Sequence, residues 1–508
     1  MARSQPDRRP GKPAADRQRS RGGARSRRDA RAPALALDQI LVELLRLLLR
    51  FDQPADRAMH GFFRVHTSAG RRDRQRLADH AYAVLRERRL FAHLAATGPG
   101  PLERRLALLA EASGAVPAWL KPNEAEQAWL ARLAHVERAS LPWAVRASLP
   151  DWLAERLQRQ CPEASVRQAL GDVMLTPAGL DLRVNLIKAQ PAQVREALQA
   201  AGIRTMDTLA PGLAGLDTLI RVAGRPNLSA LPAFEQGWFE VQDAGSQWIV
   251  RACAPRRGQT VVDLCAGAGG KTLALAAQMR SSGQIYACDI SARRLQAMRP
   301  RLARSGATNI QPMRIDDEHD ARLKRLRGRA DLVLVDAPCA GTGTLRRNPD
   351  LKWRYNEADL QRLAAQQRSI LAAAAELVAP GGRLVYATCS LLFEENEAVA
   401  LDAEQAWRQA GAGFERLDIG IGTDHTGAPA SGGQRLAPAQ TTQEPLVAAD
   451  PPPVAQAAGP DGAAGADREG RQAGGGSDAG ASFLRLWPHL HDCDGFFAAA
   501  WRRKPVAA

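Results

Sequence analysis

Cysteine is sparse in this 508-residue chain: seven residues, none in a CxxC pair and none accompanied by an HxxxH spacing. That excludes a disulfide framework and a zinc array, and no metal site is expected. No apolar run reaches the ~18 residues of a membrane span. The best candidate, from Leu35 to Phe51, is broken by Asp38, Glu43, Arg46 and Arg50 and reads as a buried helix. The Arg- and Pro-rich amino terminus has no apolar h-region, so a cytosolic, reducing location is expected and no secretory leader. Lysine is scarce too, supplying seven of the 69 basic residues, so the +15 net charge is mostly arginine. Such arginine usage is compositional as much as functional, but the sign still favours a polyanionic partner. Residues 1–32 carry eleven Arg/Lys against Asp7, Asp16 and Asp29, which is about half of the excess. They read as a phosphate-binding arm or a solvated tail.

With 45% hydrophobic and 24% charged residues the remainder is ordinary globular sequence, long enough for several domains. Residues 1–33 lack apolar periodicity and are expected to be disordered. From 34 to 145 the apolar spacing is helical: Leu77, Ala81, Val84 and Leu85 share one face of a segment whose other face is arginine-rich. Residues 146–240 mix helix (PDWLAERLQRQ, PAQVREALQAAG) with short strands (DLRVNLI, GWFEVQD) and read as a small α+β module. From 241 to 410, strand-like QTVVDLCA, QIYACDI, NIQPMRID, ADLVLVDA and GRLVYATCS alternate with helices, the pattern of a doubly wound α/β sheet. Residues 411–481 are dominated by Ala, Gly and Pro and read as a flexible insertion. Strand-like SFLRLWP and GFFAAAWRRK, within 482–508, are expected to complete the sheet as a hairpin.

The first strand of the α/β region ends in DLCAGAGGKT (263–272), with a helix behind it. Small residues from Ala266 to Gly270 let the backbone approach a ligand, and the helix start offers unpaired N–H groups. A phosphate-cradling GxxxxGK[ST] loop would need glycine where Cys265 stands, and a dinucleotide GxGxxG loop would need it at Thr272, so both fail. The remaining class is the loop of S-adenosylmethionine (SAM) enzymes. Asp289, twenty positions after Gly269, ends the second strand and is placed to accept both ribose hydroxyls; Asp316 or Asp317 ends the third, near the adenine. All of these lie at the carboxyl edge of the sheet, where ligands bind.

The fourth strand ends Asp336-Ala-Pro-Cys339 and the fifth Thr388-Cys389-Ser390. In the strand order 3-2-1-4-5 these two are neighbours about 4.8 Å apart. One carboxylate and two thiols therefore converge beside the SAM loop, whereas Cys161, Cys253, Cys265, Cys288 and Cys493 lack such company and read as core. Amine or hydroxyl methylation needs no thiol. Pyrimidine C5 becomes nucleophilic only when a thiolate adds to C6, with a carboxyl group on the N3/N4 edge stabilising the developing charge. A second group must then remove the C5 proton. One Asp and two Cys match that reaction.

CAGAGGKT, DAPCAGTGTLRRNPDLKW, YATCSLLFEEN and DGFF (494–497) resemble the RsmB/NOP family of SAM-dependent RNA cytosine-C5 methyltransferases, over about 234–405 and the last ~25 residues, with Ala268 where the family has proline. The resemblance implies a Rossmann-like class I methyltransferase domain with a mixed sheet. It implies that Cys265, Ala266, Gly267, Ala268, Gly269, Gly270, Lys271, Asp289, Asp316 and Asp336 surround SAM and the target base, that Cys389 is the nucleophile, and that Cys339 assists product release. It also implies 16S ribosomal RNA as substrate and a NusB-like RNA-binding fold for the helical region. Arg346, Arg347, Lys352 and Trp353 interleave cations and an aromatic ring beside the catalytic loop, a combination suited to phosphate pairing and base stacking. Two other readings remain: a DNA cytosine-C5 methyltransferase with Cys339 as nucleophile, or a non-catalytic RNA-binding factor, expected to have lost Asp336, Cys339 or Cys389.

Overall fold

The computed structural model describes residues 36–112, 119–206, 213, 215–420 and 483–505. The basic tail and nearly all of the Ala/Gly/Pro-rich segment lie outside the described residues. Helices Leu37–Leu48, Ala55–Val65, Arg71–Arg86, Arg88–Leu94, Leu102–Ala112 and Glu124–Leu133 come first. They pack around Ile40, Leu44, Leu45, Leu77, Val84 and Phe91, residues at helical spacing that turn one stripe of each helix inward. Within the expected apolar run, Leu37–Leu48 is a helix with Ile40, Leu41, Leu44, Leu45 and Leu48 buried.

Helices Asp151–Gln160 and Ala164–Met174 follow, then strand β1 (Leu180–Val184), helix Pro191–Ala200, and strands β2 (Leu219–Val222) and β3 (Phe239–Val241). The three strands form an antiparallel sheet in the order β2-β1-β3. β2 was not expected from the sequence, because four apolar-flanked residues give too short an alternation to detect. Leu153, Leu157 and Leu170 from the two helices share a core with Leu345, Leu391 and Leu392, so this module packs directly on the segments that follow the reactive strands.

The large sheet contains β4 (Thr260–Asp263), β5 (Gln284–Asp289), β6 (Ile310–Arg314), β7 (Ala330–Asp336), β8 (Val378–Thr388), β9 (Phe414–Leu417), β10 (Leu484–Leu486) and β11 (Phe496–Arg503). Its order is β10-β11-β8-β7-β4-β5-β6, with β9 also on β11. β4 to β8 are parallel, and β11 runs antiparallel to β8, β9 and β10. Helix Ala244–Cys253 covers one face through Trp248 and Ile249, and helix Glu357–Leu377 the other through Ile370 and Leu371. This is a Rossmann-like doubly wound fold with an antiparallel extension. Because Phe414–Leu417 pairs with β11, the insertion cannot begin at 411; the sheet continues to 417.

Register fixes the functional edge. Asp336 of β7 lies opposite Ala387 of β8, and Thr388 opposite Phe497 of β11. The ends of three neighbouring strands thus present Asp336, Cys389 and Phe496 at one rim. Among the described residues no helix is long and apolar enough to cross a membrane, and no group of three His, Cys, Asp or Glu is placed to hold a metal ion.

Candidate active site

The loop after β4 is built to stay open. Gly269 has φ of 83° and precedes helix Gly270–Gln278 as its N-cap without any side-chain cap, so the first helical N–H groups have no capping side chain. A Cβ at Gly269 would meet Met298 Cγ at 2.6 Å, while one at Gly267 or Gly270 would meet nothing within 4 Å. The loop therefore packs tightly on its inner side and leaves space on its outer side. Asp289 joins this loop at the end of β5: Gly267 N–H donates to Oδ2 at 2.8 Å and Ser291 N–H to Oδ1 at 2.7 Å. Asp263 ends β4 beneath the loop and accepts from Thr272 Oγ1 at 2.6 Å. Burial pushes its carboxyl up to about 7, against the pull of the Thr272 bond. Asp316 lies beyond β6, two-thirds exposed, paired with Arg322 at 3.0 Å and Arg314 at 3.2 Å. Asp317 accepts the His319 N–H at 2.8 Å.

Lys271 reaches from the loop to the reactive edge, where its Nζ donates to Asp336 Oδ2 at 2.8 Å and stands 5.1 Å from the centre of the Phe496 ring. Burial disfavours its charge, but the Asp336 carboxylate more than offsets this and holds the ammonium above its ordinary value. Beside this pair, Cys339 Sγ and Cys389 Sγ are 3.4 Å apart, and both residues are partly buried. The hydrogen bond to Cys389, then burial, pushes the Cys339 thiol well up. Backbone bonds hold the two loops together: Ala337 N–H to the Ala387 carbonyl and Gly343 N–H to the Cys389 carbonyl, each at 2.9 Å. Gly495 N–H in turn donates to the Gly343 carbonyl at 2.8 Å. A Cβ at Gly343 would meet the Gly495 carbonyl oxygen at 2.0 Å, so glycine is required where the DGFF segment crosses this loop. Cys161, Cys253, Cys288 and Cys493 are buried and Cys265 partly so; burial pushes all five thiols up, as inert core thiols require.

The family described as 16S rRNA methyltransferase RsmB/F matches residues 250–450, and its ferredoxin-like domain matches residues 149–212. Both the reactive edge and the module packed on it are thereby accounted for. The chain belongs to the RsmB/NOP family. It is 37% identical over 268 residues to a probable ribosomal RNA small subunit methyltransferase B of Synechocystis, covering 51% of this chain and 58% of that protein. It is 35% identical over 259 residues to ribosomal RNA small subunit methyltransferase B of Klebsiella pneumoniae, covering 49% and 55%. The chain thus spans little more than half the length of these relatives. A crystal structure of a methyltransferase homolog protein from Pyrococcus horikoshii superposes with a TM-score of 0.51 at 25% identity, over 72% of this chain and all of that one.

Within this RsmB/NOP chain the segment expected to contact RNA is engaged in intramolecular bonds. Arg346 is buried and bonded to the Pro177 carbonyl and Asp492. Arg347 bridges Asp243 at 2.6 Å and Asp494 at 2.7 Å. Lys352 is buried, its Nζ donating to the Arg86 carbonyl at 2.7 Å. Trp353 Nε1 donates to the Leu85 carbonyl at 3.2 Å, and Arg88 lies over its ring. Lys352 and Trp353 thus fasten helix Arg71–Arg86 to the methyltransferase region, while Arg346 and Arg347 tie the segment to Pro177, Asp243, Asp492 and Asp494. Cations interleaved with an aromatic ring suit a buried interface as well as a nucleic acid, and the local pattern does not distinguish them. Conversely, Asp263, Phe496 and Glu395 did not stand out in the sequence. Asp263 opens the quoted DLCAGAGGKT segment and Phe496 lies inside DGFF, while Glu395 lies inside LLFEEN with no spacing signal of its own.

Proposed function

We propose that the protein is a SAM-dependent RNA cytosine-C5 methyltransferase acting on 16S ribosomal RNA, working in the cytoplasm where that RNA is made. The observation that carries the reading is the approach of Cys339 and Cys389 to 3.4 Å beside the Lys271–Asp336 pair, next to an open glycine loop ending in an uncapped helix. That loop fits the cofactor: Gly267 and Gly270 leave unfilled space, and Asp289 lies close by. Cys265 to Lys271 with Asp289 would hold the nucleoside part of the cofactor, Asp289 serving its ribose and Asp316 its adenine. The bound cofactor supplies the methyl group.

The chain's own residues do the remaining work. Cys389 adds through sulfur to C6 of the base, which makes C5 nucleophilic. Asp336 and Lys271 set an acceptor and a donor side by side for the N3/N4 edge, where charge develops. Cys339, in contact with the Cys389 sulfur, is placed to take up the C5 proton once its own proton has passed to solvent; the C5–C6 double bond re-forms and the Cys389 C–S bond breaks, releasing Cys389 as the thiolate. Incubating the protein with SAM and 16S RNA, then mapping modified bases by bisulfite sequencing, tests the reading. Protection at a cytosine is expected; methylation of DNA only, or of no nucleic acid, would overturn it.

A further inference from the structure

The contact between the two thiols lies beyond the ends of β7 at Asp336 and β8 at Thr388, so strand pairing alone does not set it. Glu395, in the short turn after β8, is fully buried. Its Oε1 accepts the Ala340 N–H at 2.8 Å and Gln367 Nε2 at 3.0 Å; its Oε2 accepts the Ser390 hydroxyl at 2.5 Å. Ala340 follows Cys339 and Ser390 follows Cys389. We propose that Glu395 is a positioning residue for the thiol pair, its one carboxylate tying together the residues that follow the two cysteines and so fixing the distance between the sulfurs.

This inference rests on the thiols acting as proposed above. Three features support it. The carboxylate has three neutral partners in these bonds, so no cation accounts for a buried charge that is costly to keep. Ser390 Oγ also lies 3.1 Å from Thr342 Oγ1, whose oxygen accepts the Leu391 N–H at 2.8 Å, so the bond network continues on the far side of the thiols. The charge also has a chemical effect. Burial pushes the Glu395 carboxyl up, and its negative form in turn disfavours a thiolate at Cys339. The other ionisable groups facing Cys339 are Cys389, Tyr355 and Tyr386; the Lys271–Asp336 pair stands on the Cys389 side.

Two variants separate geometry from charge. Glu395→Gln keeps an acceptor for Ala340 and a partner for Ser390 but removes the charge. Glu395→Ala removes the tie. In RNA-free full-length protein, alkylation by iodoacetamide at each cysteine is followed by mass spectrometry from about pH 6 to about pH 10; methyl transfer is measured in parallel. Glu395→Gln is expected to shift the Cys339 profile to lower pH and keep methyl transfer within a few-fold. Glu395→Ala is expected to lower kcat by up to about 100-fold, as misplaced reacting groups do, with KM for SAM unchanged. An unshifted Cys339 profile in Glu395→Gln, or kcat in Glu395→Ala equal to wild type, would overturn the proposal. So would equal loss in both variants. Because alkylation needs no RNA, a wild-type protein that methylates nothing would refute the function without deciding the role of Glu395.

Discussion

Asp289 is the residue at which the glycine loop and the proposed cofactor site meet. Its two oxygens organise Gly267 and Ser291 at the mouth of the glycine loop. Asp289→Ala is expected to weaken SAM binding by roughly 1–3 kcal/mol, the loss of a charge-assisted, two-point hydrogen bond. Calorimetric titration yielding the wild-type affinity would remove Asp289 from the cofactor site. Residues of this kind were legible from the sequence because each terminates a strand: Asp289, Asp336 and Cys389 could be placed from apolar runs alone. Glu395 was not, since its partners Ala340 and Gln367 lie 55 and 28 positions away and only the folded sheet brings them near.

At the scale of elements, strands β4 to β8 and helices Ala292–Ser305 and Glu357–Leu377 follow apolar patterns visible in the chain. β2 and β9 do not, because a four-residue strand owes its state to the partner it pairs with. Segment 345–353 is legible as special, and the structure engages its cations and ring in intramolecular contacts, Lys352 and Trp353 at the interface with the helices. Burial, with Arg86 adding to it, pushes the Lys352 amine down to about 7. The unfolded chain keeps that proton to about pH 10, so between these values the unfolded state binds more protons and stability rises with pH. In Lys352→Met this contribution disappears. The stability difference, wild type minus variant, is expected to grow from about pH 7 to about pH 9 by up to ~1.4 kcal/mol per pH unit. Guanidinium unfolding giving a pH-independent difference would show that the amine is not held in low dielectric.

For the whole molecule, the buried Arg346 and Lys352 and the ion-paired Arg347 move the search for RNA-binding groups to other basic regions, residues 1–32 among them. Removing residues 1–32 is expected to lower RNA affinity and leave SAM affinity alone. For every phosphate that the arm neutralises, its removal should flatten the slope of log K against log salt by about 0.7–0.9. An unchanged slope in a filter-binding titration would make the arm a solubility tail.

The central claim is that this fold brings two thiols together so that one attacks and the other permits release. It is tested most directly by comparing Cys389→Ala and Cys339→Ala with SAM and 16S RNA on denaturing gels. Cys389→Ala is expected to transfer no methyl group and form no adduct. Cys339→Ala is expected to attack and methylate, yet accumulate a protein–RNA adduct that survives denaturation. An adduct in Cys389→Ala and none in Cys339→Ala would make Cys339 the nucleophile, and full activity without any adduct in both variants would contradict covalent catalysis.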